Sequence, residues 1–231
     1  MRVLILREPE AAEETAGALA ALGHEPLRLP LQAIVPLGAP PPPGRFAALV
    51  VTSRNALPAL SRHLSGTDLP LLAVGAATAA RLRGAGFAIA VTGEGAAASL
   101  VSPAAELAGR AGLPLLLALG RSRSADLETG LAARNAPFTV WETYETRPRR
   151  PEIAEIAALF AAGRPEAALL LSATQAEGFA ALLAAHGEFF RPMPRLFCLS
   201  ARIAARLPEE LRPFATISPR RDVSSLLAGL A

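Results

Sequence analysis

Lysine is absent from this sequence, and all 23 basic residues are arginine. That excludes a Walker-type phosphate loop, which needs a lysine to reach the β- and γ-phosphates. It also leaves every basic side chain permanently charged and shaped to hold carboxylates bidentately. Cysteine occurs once, as Cys198 within Leu196-Phe197-Cys198-Leu199. A lone cysteine excludes an intramolecular disulfide and a cysteine metal cluster, and reads as a small buried hydrophobe. The three histidines, His24, His63 and His186, lie far apart with no acidic residue at ligand spacing. Nothing here points to a metal site or a Ser/His/Asp triad, and His24 and His186 read as charges near helix C-termini. Neither metal nor cofactor is expected. Aromatic residues make up only 5% of the chain, so the core must be built from Ala, Leu and Val. No apolar run approaches the roughly 18 residues of a membrane span. The opening Met1–Glu8 stretch is too brief for a signal peptide. A soluble, cytoplasmic protein is expected.

What is present is ample apolar material. Of 231 residues, 52% are hydrophobic and 19% charged, enough for one large domain or two ordinary ones. The net charge of +3 favours anionic partners. The arginines are scattered and never alternate with stacking aromatics, so a nucleic-acid surface is not supported. A polyanionic small molecule fits better.

Short apolar runs of strand length recur at Val3–Leu6, Ala47–Val51, Leu71–Val74, Leu115–Leu119, Ala167–Leu171 and Leu196–Leu199. Helical patterns lie between them, among them Glu13–Leu22, Asn55–Leu64, Thr78–Gly84 and Asp126–Arg134. This alternation predicts an α/β fold with parallel sheets. The Pro40–Gly44 run joins neither kind of element and is a connector. The chain also repeats itself. Ala47–Ala56 echoes Ala167–Ala176, Val74–Leu82 echoes Leu199–Leu207, and Val3–Leu31 has a looser partner in Leu115–Trp141. Two similar α/β halves follow.

Ligands of open α/β sheets bind beyond the carboxyl ends of the strands. The residues just past the predicted strands are Arg7, Thr52-Ser53, Gly75, Gly120-Arg121, Ser172 and Ser200. Ser53 and Ser172 open helices at equivalent points, and Ser172-Ala173-Thr174-Gln175 has the capping-box form. A cap and a ligand-binding role are compatible, because a capped first turn still presents N–H groups to a carboxylate. Gly75-Ala76-Ala77-Thr78 lacks the further glycines of a dinucleotide loop. Tyr144, the only tyrosine, lies where a strand pattern meets a charged connector. Composition leaves it either a structural or a catalytic role.

The ordered set Val3–Pro9, Leu22–Pro26, Leu29–Leu31, Val51–Ala56, Ala73–Ala79 and Thr143–Thr146 resembles the uroporphyrinogen-III synthases along essentially the whole chain. The resemblance implies two similar parallel-sheet α/β domains joined by a two-stranded connector, the first discontinuous (residues 1–34 and 147–231) and the second spanning 35–146. Leu31–Leu37 and Tyr144–Pro151 would be the crossing strands, with the site in the cleft between domains. It implies cofactor-free ring closure of hydroxymethylbilane, a linear tetrapyrrole with eight carboxylates, with inversion of ring D. Tyr144 matches the family's tyrosine thought to assist hydroxyl departure. Arg7, Ser53, Gly75, Ala77, Thr78, Ser172 and Ser200 would line the cleft, with Arg121 or Arg123 adding a side-chain contact. Relatives often carry Gly-x-Thr-Thr where this chain has Ser200-Ala201-Arg202-Ile203, so that contact would shift to Ser200, Arg202 or backbone N–H groups. A monomer, in transient contact with hydroxymethylbilane synthase, is expected. The competing expectation is a non-catalytic, two-lobed relative that binds a tetrapyrrole or another polyanion.

Overall fold

The structure is a computed structural model describing residues 1–230. In chain order its elements are β1 (Arg2–Ile5), α1 (Pro9–Ala21), β2 (Glu25–Arg28), β3 (Gln32–Pro36), β4 (Leu49–Val51), α2 (Leu57–His63), β5 (Leu71–Ala73), α3 (Ala76–Gly84) and β6 (Ile89–Thr92). There follow α4 (Val101–Ala111), β7 (Leu115–Gly120), α5 (Asp126–Ala132), β8 (Phe138–Pro148), α6 (Ile153–Leu159), β9 (Ala167–Leu170), α7 (Ala173–His186), β10 (Arg195–Cys198), α8 (Ala201–Ala204), β11 (Ala215–Ile217) and α9 (Val223–Ala228). Each expected strand run forms a strand. Helix α1 starts earlier than its pattern suggested, because Pro9 opens it and the Glu8 carboxylate accepts from Ala11 N–H at 3.2 Å. Of the two expected crossing strands, β3 keeps close to Leu31–Leu37. The other, β8, runs Phe138–Pro148, so it starts well before the expected Tyr144 and ends short of Pro151.

The chain groups into two compact units, Met1–Ala33 with Arg147–Ala231, and Ile34–Thr146. Among the described residues, one sheet has the order β2-β1-β9-β10-β11 and the other β3-β8-β7-β4-β5-β6. Within the first, β1 pairs parallel to β2 and β9, and β10 to β9 and β11. Within the second, β4 pairs parallel to β5 and β7, and β7 to β8. Leaving aside β3, the orders β2-β1-β9-β10-β11 and β8-β7-β4-β5-β6 are the same, with β1 standing for β7 and β9 for β4. The halves come in opposite chain order, so each unit is a circular permutation of the other. This explains why the sequence repeat pairs Ala47–Ala56 with Ala167–Ala176, and the opening of the chain with its middle.

Both sheets are covered on both faces, as parallel sheets require. Along β1 and just past its end, Leu4 and Leu6 face one core with Phe179 of α7, while Val3 and Ile5 face another with Leu19 of α1 and Leu226 of α9. Along β7, Leu115, Leu117 and Leu119 pack with α4 and α5, whereas Leu116 and Ala118 meet α2 and α3. The alternation is the period-two pleat of a strand. Burial on both faces is why these strands read as unbroken apolar runs.

Candidate active site

In the Ile34–Thr146 unit the chain reverses its direction across the sheet between β4 and β7, leaving a crevice beyond their carboxyl ends. A cavity of about 220 Å³ lies there, lined by Thr52, Val74, Leu119, Arg123, Ser124 and Glu128 among others. Ser53 is extended, at φ −155° and ψ 142°, and its hydroxyl accepts from Asn55 N–H at 3.2 Å. It caps a short 3₁₀ turn (Arg54–Ala56) that leads into α2. Gly75 stands before α3 with no side-chain cap. Its backbone is extended, so the need for glycine is steric: a Cβ there would lie 3.1 Å from Gly95 Cα. Ala77 is exposed on the first turn of α3, and Thr78 is buried, 7% exposed.

Tyr144 is half-buried on β8 and packs against the α2–α3 core. Its carbonyl accepts from Arg121 N–H at 2.9 Å, tying the ends of β7 and β8 together. Below it, the Thr143 hydroxyl donates to Leu119 O at 3.0 Å and is fully buried. Arg121 is held by two carboxylates, Glu142 at 2.9 Å and Glu145 at 2.7 Å. The hydrogen bond from Arg121 is the main cause holding the Glu142 carboxyl below its usual range, and Arg123 adds to it. Arg123 bonds Glu128 at 2.7 Å and Gly120 O at 2.9 Å, and lies 3.4 Å from Glu142. Glu128 Oε2 is buried with no hydrogen-bond partner. A substrate carboxylate reaching Arg121 or Arg123 must therefore compete with carboxylates of the protein.

In the other unit the equivalent reversal lies between β1 and β9. Arg7 follows β1, and its Nη1 donates to the buried Thr15 hydroxyl at 3.1 Å. Ser172 follows β9, at φ −147° and ψ 160°, and accepts from Gln175 N–H at 3.2 Å. The Gln175 side chain reaches back to Leu171 N–H, one residue beyond the cap of the usual box. Ser200, extended like Gly75, precedes the single turn of α8 and makes no cap hydrogen bond. Arg202 is exposed. The four helix-opening positions thus form two matched pairs: Ser53 and Ser172 capped by their own hydroxyls, Gly75 and Ser200 not.

The family model described as uroporphyrinogen-III synthase HemD matches residues 13–228. The chain belongs to the uroporphyrinogen-III synthase family. It is accordingly an enzyme, a cyclising lyase of tetrapyrrole biosynthesis. The crystal structure of uroporphyrinogen-III synthetase from Helicobacter pylori 26695 has the same fold. Its TM-score is 0.64 at 16% identity, and the match covers 100% of this chain and 98% of that one. Uroporphyrinogen III synthase from Thermus thermophilus gives 0.41 at 22% identity, covering 100% and 98%. A mutant of the Thermus thermophilus enzyme gives 0.47 at 19%, covering 100% and 97%. No curated protein matches the sequence significantly.

Within this family member, the carboxylates Glu128, Glu142 and Glu145 were not legible as site residues from local sequence. Glu142 and Glu145 flank Tyr144 in the chain, but which arginine they meet depends on the register of β8 against β7. That register shifts between Leu119 and Gly120. Among the described residues, no helix is long and apolar enough to cross a membrane. Nor does any group of three or more His, Cys, Asp or Glu among them come together as metal ligands would.

Proposed function

We propose that this enzyme closes hydroxymethylbilane to uroporphyrinogen III with inversion of ring D, and that Tyr144 assists departure of the ring-A hydroxyl. The phenol donates its proton to the leaving oxygen, the C–O bond breaks, and water departs. The substituted carbon of ring D attacks the resulting electrophile. The spiro intermediate then fragments and recloses with ring D inverted, and the proton released as the pyrrole regains aromaticity replaces the one donated. General-acid help of this kind is worth about 10²–10⁴. The substrate also cyclises unaided without inversion, so holding the flexible chain is the larger task.

In this reading Arg7, Ser53, Gly75, Ala77, Thr78, Arg121, Ser172, Ser200 and Arg202 bind the substrate, some of them meeting its carboxylates through backbone amides. They sit on two domains, 1–34 with 147–231 and 35–146. The N–H groups of the first turn of α3, which no side chain caps, are suited to carboxylates. A cytoplasmic monomer taking its labile substrate from hydroxymethylbilane synthase by transient contact fits this chemistry.

The observation that carries the reading is the position of Tyr144, half-buried on β8 and paired with Gly120 at the carboxyl end of β7, one of the two strands between which the chain reverses. Tyr144→Phe tests it. Turnover should fall by roughly 10²-fold or more, with a larger share of type I product and little change in melting temperature. Wild-type rate and isomer purity in the variant would remove the acid role.

A further inference from the structure

Gly120 ends β7 directly beside Tyr144. A Cβ built on Gly120 would lie 2.6 Å from Tyr144 Cζ, 2.7 Å from Cε2 and 2.8 Å from the phenol oxygen. Carbon atoms in good contact stand about 3.5–4.0 Å apart. The backbone does not call for glycine at this point, since Gly120 is not among the glycines at positive φ. Its missing side chain has a steric meaning. The phenol occupies the space that any other residue would fill.

We infer that Gly120 is a positioning residue, the seat on which the Tyr144 phenol rests for reaction. This rests on the reading of Tyr144 as the proton donor. The colliding atoms belong to the far end of a side chain that turns about two bonds, whereas Tyr144 O stays tied to Arg121 N–H at 2.9 Å. A methyl at position 120 is therefore relieved by the ring swinging aside while the strands remain paired. The phenol moves by an ångström or more and the fold stays.

The experiment compares wild type, Gly120→Ala, Tyr144→Phe and the double variant. It reads kcat, KM, the ratio of type III to type I product, and melting temperature. Because Tyr144 is the only tyrosine, labelling with 3-fluorotyrosine gives a single ¹⁹F resonance that reports the ring itself. Gly120→Ala should lower kcat on the order of tenfold to a hundredfold, with KM within about twofold. It should also raise the type I share and shift the resonance. Added to Tyr144→Phe, it should change kcat by less than about twofold, since no phenol remains to misplace. An unshifted resonance with wild-type kcat, or an equal loss in both backgrounds, overturns the inference. Wild-type activity in Tyr144→Phe sinks the proton-donor reading itself, a result distinct from an impaired Tyr144→Phe beside an unaffected Gly120→Ala. If Gly120→Ala does not fold, combining it with Tyr144→Ala removes the obstructing ring. Restored folding then supports the seat, and failure to restore it overturns the inference.

Discussion

The Ser172 hydroxyl accepts from Gln175 N–H at 3.2 Å while the Gln175 side-chain oxygen accepts from Leu171 N–H at 2.8 Å. Two backbone donors at the end of β9 and the start of α7 are thereby satisfied by one pair of side chains. Ser172→Ala should cost about 1 kcal/mol of stability, the usual cost of a lost N-cap. Ser172→Asp separates capping from binding. Aspartate caps as well as serine, so the melting temperature should hold, but its charge opposes a substrate carboxylate and KM should rise about tenfold. An unchanged KM in Ser172→Asp would reduce Ser172 to a cap.

The Arg121–Glu142 contact predicts a pH dependence whose sign follows from the lowered carboxyl. A carboxylate that titrates lower when folded than when unfolded contributes stability above its unfolded value of about 4.3. That contribution fades as pH falls through the lower folded value. Glu142→Gln lacks it throughout. The gap in melting temperature between wild type and Glu142→Gln should therefore narrow from pH 6 toward pH 3, and shrink with added salt, since both side chains are partly exposed. Thermal melts across that range check it; a constant gap would contradict it.

Cys198 is fully buried in β10, and desolvation pushes its thiol up to about 11. The thiolate is the reactive form, so the native protein should resist iodoacetamide at pH 8 and react fully in guanidinium. The folded state favours the protonated thiol, so this group's contribution declines as pH climbs from about 8.5 toward the folded value. Mass spectrometry after timed alkylation is the readout. Rapid labelling of the native enzyme would show that the β10 core opens readily.

Gly93 sits where the loop after β6 meets the loop after β5. A Cβ there would lie 2.5 Å from Ser99 Oγ and 2.8 Å from Val74 O, and the carbonyl belongs to the backbone. Gly93→Ala should lower stability by roughly 1–3 kcal/mol. It should also raise KM, because Val74 lines the cavity beyond β4. Denaturant unfolding and substrate titration measure the two effects separately.

The strands legible in the sequence, β1, β4, β5, β7, β9 and β10, are inner strands, buried on both faces and so written as continuous apolar runs. Of those that periodicity missed, β2, β3, β6 and β11 are sheet edges, and the inner strand β8 alternates buried with half-buried residues, so it forms no unbroken apolar run. Of β2 only Leu27 is buried, and Ile217 of β11 is 48% exposed. With one flank in solvent, an edge strand needs no apolar run. The caps at Ser53 and Ser172 were legible because a cap is set by residues two to four apart. The clamp of Glu142 and Glu145 on Arg121, and the fit of Tyr144 over Gly120, were not. Each joins residues more than 20 positions apart, through a register shift that no local pattern encodes.

The measurement that bears most directly on this account supplies freshly made hydroxymethylbilane to the purified protein and resolves the oxidised products by isomer. Type III uroporphyrin should predominate with wild type, and the type I share should rise with Tyr144→Phe. Type I alone, as forms without protein, would contradict the account and leave only a protein that binds the tetrapyrrole without converting it.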